Sequence, residues 1–183
     1  MPKLCGIDEA GRGPLAGDLV MAGVVITNPI EGLMDSKKIS EKKREALYPI
    51  ILENTQHHII SFSPKEIDEI GLSRCLSKGL ESIQKHLKAD IYLFDGNQTF
   101  GVLGITTMVK ADTKIAEVSA ASILAKVTHD RAIIQASTLY PNYGFQNHKG
   151  YGTKAHIKAI RAFGYCDIHR KSFKIKDNID SES

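Results

Sequence analysis

The chain has 183 residues, of which 42% are hydrophobic and 25% charged, a composition that suits one folded domain with a buried core and leaves little room for extensive disorder. Its longest apolar stretch, Leu19 to Ile26, falls far short of the roughly 20 residues of a membrane helix, and the N-terminus carries no signal-peptide pattern. The net charge of +3 excludes little, whereas three cysteines (Cys5, Cys75, Cys166) with no CxxC pair speak against zinc and for a reducing compartment, so the cytoplasm is expected.

Leu4 to Ile7 predicts a short strand and the Val- and Ile-rich run Leu19 to Thr27 a second, with a glycine-rich turn between them. Ser40 is placed to cap a charged helix running to about Leu52, and His57 to Phe62 predicts a third strand. Ser63-Pro64-Lys65-Glu66 joins a capping box to proline at the first helical position, opening a helix that Gly71 interrupts. Leu72, Leu76, Leu80, Ile83 and Leu87 recur at helical spacing, before Ile91 to Phe94 forms a buried strand ending at Asp95. Ile105 to Val109 predicts another strand, followed by Lys110-Ala111-Asp112 and a long helix to about Ala136 with a core stripe of Ala120, Ile123, Val127 and Ile134. A last helix spans Thr153 to Phe163. Strands first, then helix and strand in alternation, indicate an α/β fold: a mixed central sheet flanked by helices, with a helical C-terminal segment and sites at strand ends. Residues 1–176 are expected as a single domain, about 137–176 as its basic helical part and 177–183 as a short acidic tail. From His148 to Lys176 eight Lys or Arg stand against one acid, Asp167, a face that could meet phosphates or be plain solvated helix surface.

Asp8 and Glu9 directly follow the first predicted strand, Asp95 closes another, and Asp112 lies at a strand-to-helix junction. Such a cluster repels itself unless it binds cations, and hard oxygen ligands favour magnesium or manganese. Two such ions about 4 Å apart can activate a water, stabilise a leaving oxygen and clamp a phosphodiester. Each acid also has a structural reading: Asp112 as a helix N-cap, Asp95 before Gly96-Asn97 as a turn initiator. Neighbouring strand residues face opposite ways, so Asp8 and Glu9 share a site only if the chain bends there; Gly11-Arg12-Gly13 supplies a bend, and Arg12 between two glycines favours a polyanion. Tyr151 lies in the polar, flexible Lys149-Gly150-Tyr151-Gly152, which favours a surface role over a core one. Lys37, Lys149 and Arg170 are candidate phosphate contacts. Ser119 to Lys126 is read as helix packing without chemistry, and His57, His58, His86 and His129 as surface or satisfied structural histidines.

The sequence resembles the type 2 ribonucleases H (ribonuclease HII) almost end to end. The matching blocks are Gly6-Ile7-Asp8-Glu9-Ala10-Gly11-Arg12-Gly13 with Leu15-Ala16-Gly17, Asp35-Ser36-Lys37, Asp95-Gly96, Lys110-Ala111-Asp112, Ser119 to Lys126, His148-Lys149-Gly150-Tyr151 and His169 to Phe173. The resemblance implies a ribonuclease H-like fold with Asp8, Glu9, Asp95 and Asp112 as four metal-binding catalytic carboxylates. It further implies that Gly11, Arg12 and Gly13 read a ribose 2′-hydroxyl while Tyr151 packs on the sugar of the adjoining deoxynucleotide. The implied activity is two-metal-ion hydrolysis of the RNA strand of RNA/DNA hybrids and incision 5′ to single ribonucleotides in duplex DNA, serving ribonucleotide excision repair or replication. A monomer is expected, and the tail shows no clear clamp-binding motif. Type 3 ribonucleases H share the fold behind an extra N-terminal domain; a first strand at residue 3 or 4 and Ala10-Gly11-Arg12-Gly13 fit type 2 better. The reading from another class is a non-catalytic hybrid-binding module whose acids hold a structural cation; against it, acids near a phosphate backbone weaken binding unless metals neutralise them.

Overall fold

The computed structural model describes residues 1–34 and 39–175. Five strands, β1 (Leu4–Ala10), β2 (Leu19–Ile26), β3 (Thr55–Phe62), β4 (Ile91–Asp95) and β5 (Ile105–Met108), form one sheet in the order β3-β2-β1-β4-β5. The β1–β2 and β2–β3 pairs are antiparallel and the β1–β4 and β4–β5 pairs parallel, so the sheet is mixed, as expected. The register does the positioning. Ile7 lies opposite Phe94 in the parallel pair, so the next residue on each strand, Asp8 and Asp95, arrives at the same end of the sheet.

Alternation along the strands sends side chains into two cores. Cys5, Ile7, Leu19 and Met21 pack against Leu76, Leu80 and Ile83 of α3 (Leu72–His86), which follows α2 (Pro64–Ile70) across Gly71. On the other face, Val20, Ala22 and Val24 meet Ala120, Ala121 and Leu124 of α4 (Ala116–Ser137) and Leu47 and Ile51 of α1 (Glu41–Glu53). Small residues set how close α4 comes: a Cβ on Gly6 would stand 2.3 Å from the carbonyl carbon of Glu117. A third cluster joins Leu15 and Ala16, after β1, to Tyr143, Phe145, Ile157 and Ile160 of the C-terminal segment, which holds α5 (Phe145–His148) and α6 (Lys154–Phe163).

Four details depart from the sequence reading. β1 runs on through Asp8 and Glu9 to Ala10, because its ladder with β2 continues to the pair Ala10–Val20; the bend therefore falls after Ala10 and not at the acid pair. Asp112 lies in a 3-10 turn, Ala111–Thr113, ahead of α4 rather than capping it. Ile133, 2% exposed, takes the core place assigned to Ile134, which is 38% exposed. The four-residue α5 is too short to show a helical period in the sequence.

Candidate active site

Asp8, Asp95 and Asp112 each offer an oxygen within 4.8 Å of the others. β1 and β4 deliver the first two side by side, and the 3-10 turn behind β5 brings the third. Local bonds aim them: Asp8 Oδ1 accepts the Glu9 amide at 2.8 Å, and Asp95 Oδ1 accepts the Ala111 amide at 3.2 Å. Burial raises the Asp8 carboxyl well above the usual range, and the charges of Glu9 and Asp95 add to it. Burial, then Asp112, pushes Asp95 up to about 6. Glu9 is raised by burial against the opposing pull of Arg12, whose Nη2 sits 2.7 Å from Glu9 Oε1. Glu9 Oε2 is buried with no hydrogen-bond partner. An oxygen-only donor set fits a divalent cation, which would relieve both the mutual repulsion and the orphaned buried oxygen.

Beside the acids lies a cleft of about 620 Å³, lined by Glu9, Gly11, Arg12, Gly13, Asp112 and Tyr151 among others. Gly11 turns the chain at φ 87°, and a Cβ there would meet the Asp18 carbonyl oxygen at 2.5 Å and the His129 ring at 2.6 Å, so only glycine fits. Arg12 keeps 45% of its side chain exposed while bridging to Glu9 and lying 5.4 Å from the centroid of the Phe100 ring. Gly13 faces Tyr151, which is 40% exposed with Lys126 Nζ 5.8 Å from its ring centroid.

Two candidate phosphate contacts are placed otherwise. Arg170 is 1% exposed and donates to the carbonyls of Gly11, Arg12, Pro14 and Gly17 at 2.6–3.1 Å, so it braces the loop after β1 from within instead of meeting solvent phosphate. Lys149 turns its ammonium to the Gln146 carbonyl at 2.5 Å and does not line the cleft. Lys37 lies outside the described residues, as do Lys176 and the tail. Conversely, the cleft is lined by Ser122 and Lys126, in the helix read as packing alone, and by Arg44. Lys126, which Asp130 holds at 3.2 Å, carried a sequence signal: a lysine among small residues on an otherwise buried helix. His129, 1% exposed, bonds Asp130 at 2.9 Å, but its Nε2 is unpartnered, so it is buried yet only half satisfied.

A sheet of this order, bringing aspartates together at the ends of the adjacent parallel strands β1 and β4, has the ribonuclease H-like fold, with an acid cluster suited to a nuclease that uses a divalent metal. The chain belongs to the ribonuclease HII family, whose model matches residues 5–176. Ribonuclease HII of Sulfurovum sp. (strain NBC37-1) is 66% identical over 173 residues, 94% of this chain and 92% of the relative. That of Aliarcobacter butzleri (strain RM4018) is 55% identical over 96% of this chain and 93% of its own length. The solved ribonuclease HII of Archaeoglobus fulgidus, in a complex with PCNA, superposes with a TM-score of 0.80 at 27% identity, covering 95% of this chain and 96% of that one.

Proposed function

We infer that the chain is an endoribonuclease that cuts the RNA strand of RNA/DNA hybrids and also incises duplex DNA 5′ to single ribonucleotides, leaving 3′-hydroxyl and 5′-phosphate ends. The observation that carries this reading is the approach of Asp8, Asp95 and Asp112 to within 4.8 Å beside a cleft lined by Gly11, Arg12, Gly13 and Tyr151. Asp8, Glu9, Asp95 and Asp112 would hold magnesium or manganese, which when bound supplies positive charge for the scissile phosphodiester and lowers the pKa of the attacking water.

The chain's own residues choose the substrate. Gly11 and Gly13 present backbone without side chains, so a ribose can come within hydrogen-bond range of their peptide groups. A 2′-hydroxyl found there separates RNA from DNA. Arg12, oriented by Glu9, is placed to donate to that hydroxyl or to a neighbouring phosphate. Tyr151 packs on the sugar of the adjoining deoxynucleotide. The same inference takes residues 1–176 as one catalytic domain acting as a monomer in the cytoplasm, in repair of embedded ribonucleotides or in replication. A non-catalytic hybrid-binding module is not favoured, because the relatives that match over nearly the whole chain are ribonucleases HII and because carboxylates near a phosphate backbone lower affinity unless metals neutralise them.

The test is cleavage of a labelled DNA duplex containing one ribonucleotide, with magnesium, manganese or chelator, beside an all-DNA duplex. Cutting 5′ to the ribonucleotide only with metal is the expected result. Cutting of a long hybrid but not of this substrate would remove the junction role of Gly11, Arg12, Gly13 and Tyr151, and silence on both would overturn the enzyme reading.

A further inference from the structure

What fixes Tyr151 is its main chain rather than its ring. Gly150 N–H donates to His148 Nδ1 at 3.1 Å, and the Tyr151 carbonyl accepts from His156 Nδ1 at 2.9 Å. The two imidazoles stack with centroids 4.2 Å apart and planes 9° from parallel, holding the main chain of Gly150 and Tyr151 by the N–H of the first and the C=O of the second. His156 Nε2 in turn lies 2.9 Å from His169 Nε2, and His169 Nδ1 accepts the Cys166 amide at 2.9 Å. His169 bridges Ala16 across the backbone, next to the arginine that braces the Gly11–Gly17 loop. Both halves of the inferred substrate reader, that loop and the Tyr151 loop, thus meet this column of histidines, beside a direct bond from the Leu15 amide to the Gly150 carbonyl at 2.8 Å.

The partners dictate where the ring protons sit. His148 Nε2 faces the Tyr143 carbonyl at 2.7 Å and must carry hydrogen, leaving Nδ1 bare for the Gly150 amide. His156 must carry hydrogen on Nδ1, facing the Tyr151 carbonyl. His169 must be bare at Nδ1, so its hydrogen lies on Nε2 and points at the bare Nε2 of His156. Three neutral rings satisfy every contact with none left over. A further proton has nowhere to go without breaking a bond, and all three rings are held below the ordinary histidine range, chiefly by burial.

We propose that His148, His156 and His169 are positioning residues whose locked tautomers set the main chain on either side of the Gly150–Tyr151 link, and with it the enzyme's recognition of the ribonucleotide–deoxynucleotide junction. The proposal rests on the reading of Tyr151 as the contact to the deoxynucleotide sugar. An all-RNA strand lacks that sugar, so the column matters for a single embedded ribonucleotide and much less for a long hybrid.

An amide pair separates the two jobs of His148. Asn reaches only as far as Nδ1 and keeps an acceptor for Gly150, whereas Gln reaches Nε2 and keeps the donor to Tyr143 while leaving Gly150 unpaired. His148→Gln should lower kcat/KM about tenfold or more on the single-ribonucleotide duplex and less than about threefold on a long hybrid, and His148→Asn should stay within about threefold on both. Equal losses on both substrates, or the same loss in both variants, would reduce the column to general packing. Tyr151→Ala runs alongside: if it leaves the single-ribonucleotide rate unchanged, the reading of Tyr151 fails; if it impairs cleavage while His148→Gln does not, the column alone is overturned. Should His148→Gln fail to fold, the wild-type enzyme decides by ¹H–¹⁵N long-range NMR of its imidazoles. The expected pattern is Nδ1–H at His156 with Nε2–H at His148 and His169; an Nε2–H tautomer at His156 would overturn the proposal.

Discussion

Burial, and then the charge of Asp112, push the Asp95 carboxyl up to about 6 against the opposing bond from the Ala111 amide. The metal-free fold therefore prefers it protonated. Its stabilising contribution is complete below 3.8 and is lost as pH rises through about 6. Discounted for the part that water reaches, the loss is on the order of 1 kcal/mol. Asp95→Asn keeps the shape and the acceptor for Ala111 but carries no charge. In chelator, urea unfolding should find the variant about 1 kcal/mol more stable than wild type at pH 8, with the advantage gone near pH 3.5. No gain at pH 8 would mean that the carboxylates do not strain the metal-free fold. With magnesium present the order of merit reverses in function: Asp95→Asn should lose at least about a thousandfold in cleavage rate, and near-normal turnover would sink the assignment of Asp95 as a ligand.

Between β1 and α4, Gly6 allows the helix to lie against the strand that carries Asp8. Gly6→Val would drive its side chain into the α4 backbone at Glu117 and Val118 and should destabilise by about 3 kcal/mol or more in thermal or chemical unfolding; a cost under about 1 kcal/mol would show that α4 can shift. Much at this scale was readable in the sequence. Apolar runs mark strands, and an acid that follows such a run lies toward one end of the sheet, the signal that Asp8 and Asp95 carry in the sequence. Pairing partners are not readable: the ladder of β1 with β2 carries the strand past Glu9, and only β2 decides that. Helical period tolerates a slip of one residue, enough to confuse Ile133 with Ile134. The fate of Arg170 depended on four carbonyls from a loop far away in sequence, and the histidine column on three stretches with no common spacing. Charge and polarity suggested surface for Arg170; hydrogen bonding took it inside.

Across the whole molecule, the C-terminal segment closes what the N-terminal strand begins. Arg170 reaches Gly11 over 159 residues, and Leu15 and Ala16 share a core with Phe145, Ile157 and Ile160. Arg170→Met would leave four carbonyls of the loop without their donor and should lower stability by about 3 kcal/mol in urea unfolding; a loss under about 1 kcal/mol would mean that water replaces the guanidinium. The same tie orders events during synthesis. Asp8, Asp95 and Asp112 have all been synthesised once Asp112 has, yet the loop after β1 cannot be tied down by Arg170 until that residue emerges. The acids that meet at the sheet end are thus made well before the donor that ties down the Gly11–Gly17 loop beside them, so this corner of the fold closes only late in synthesis.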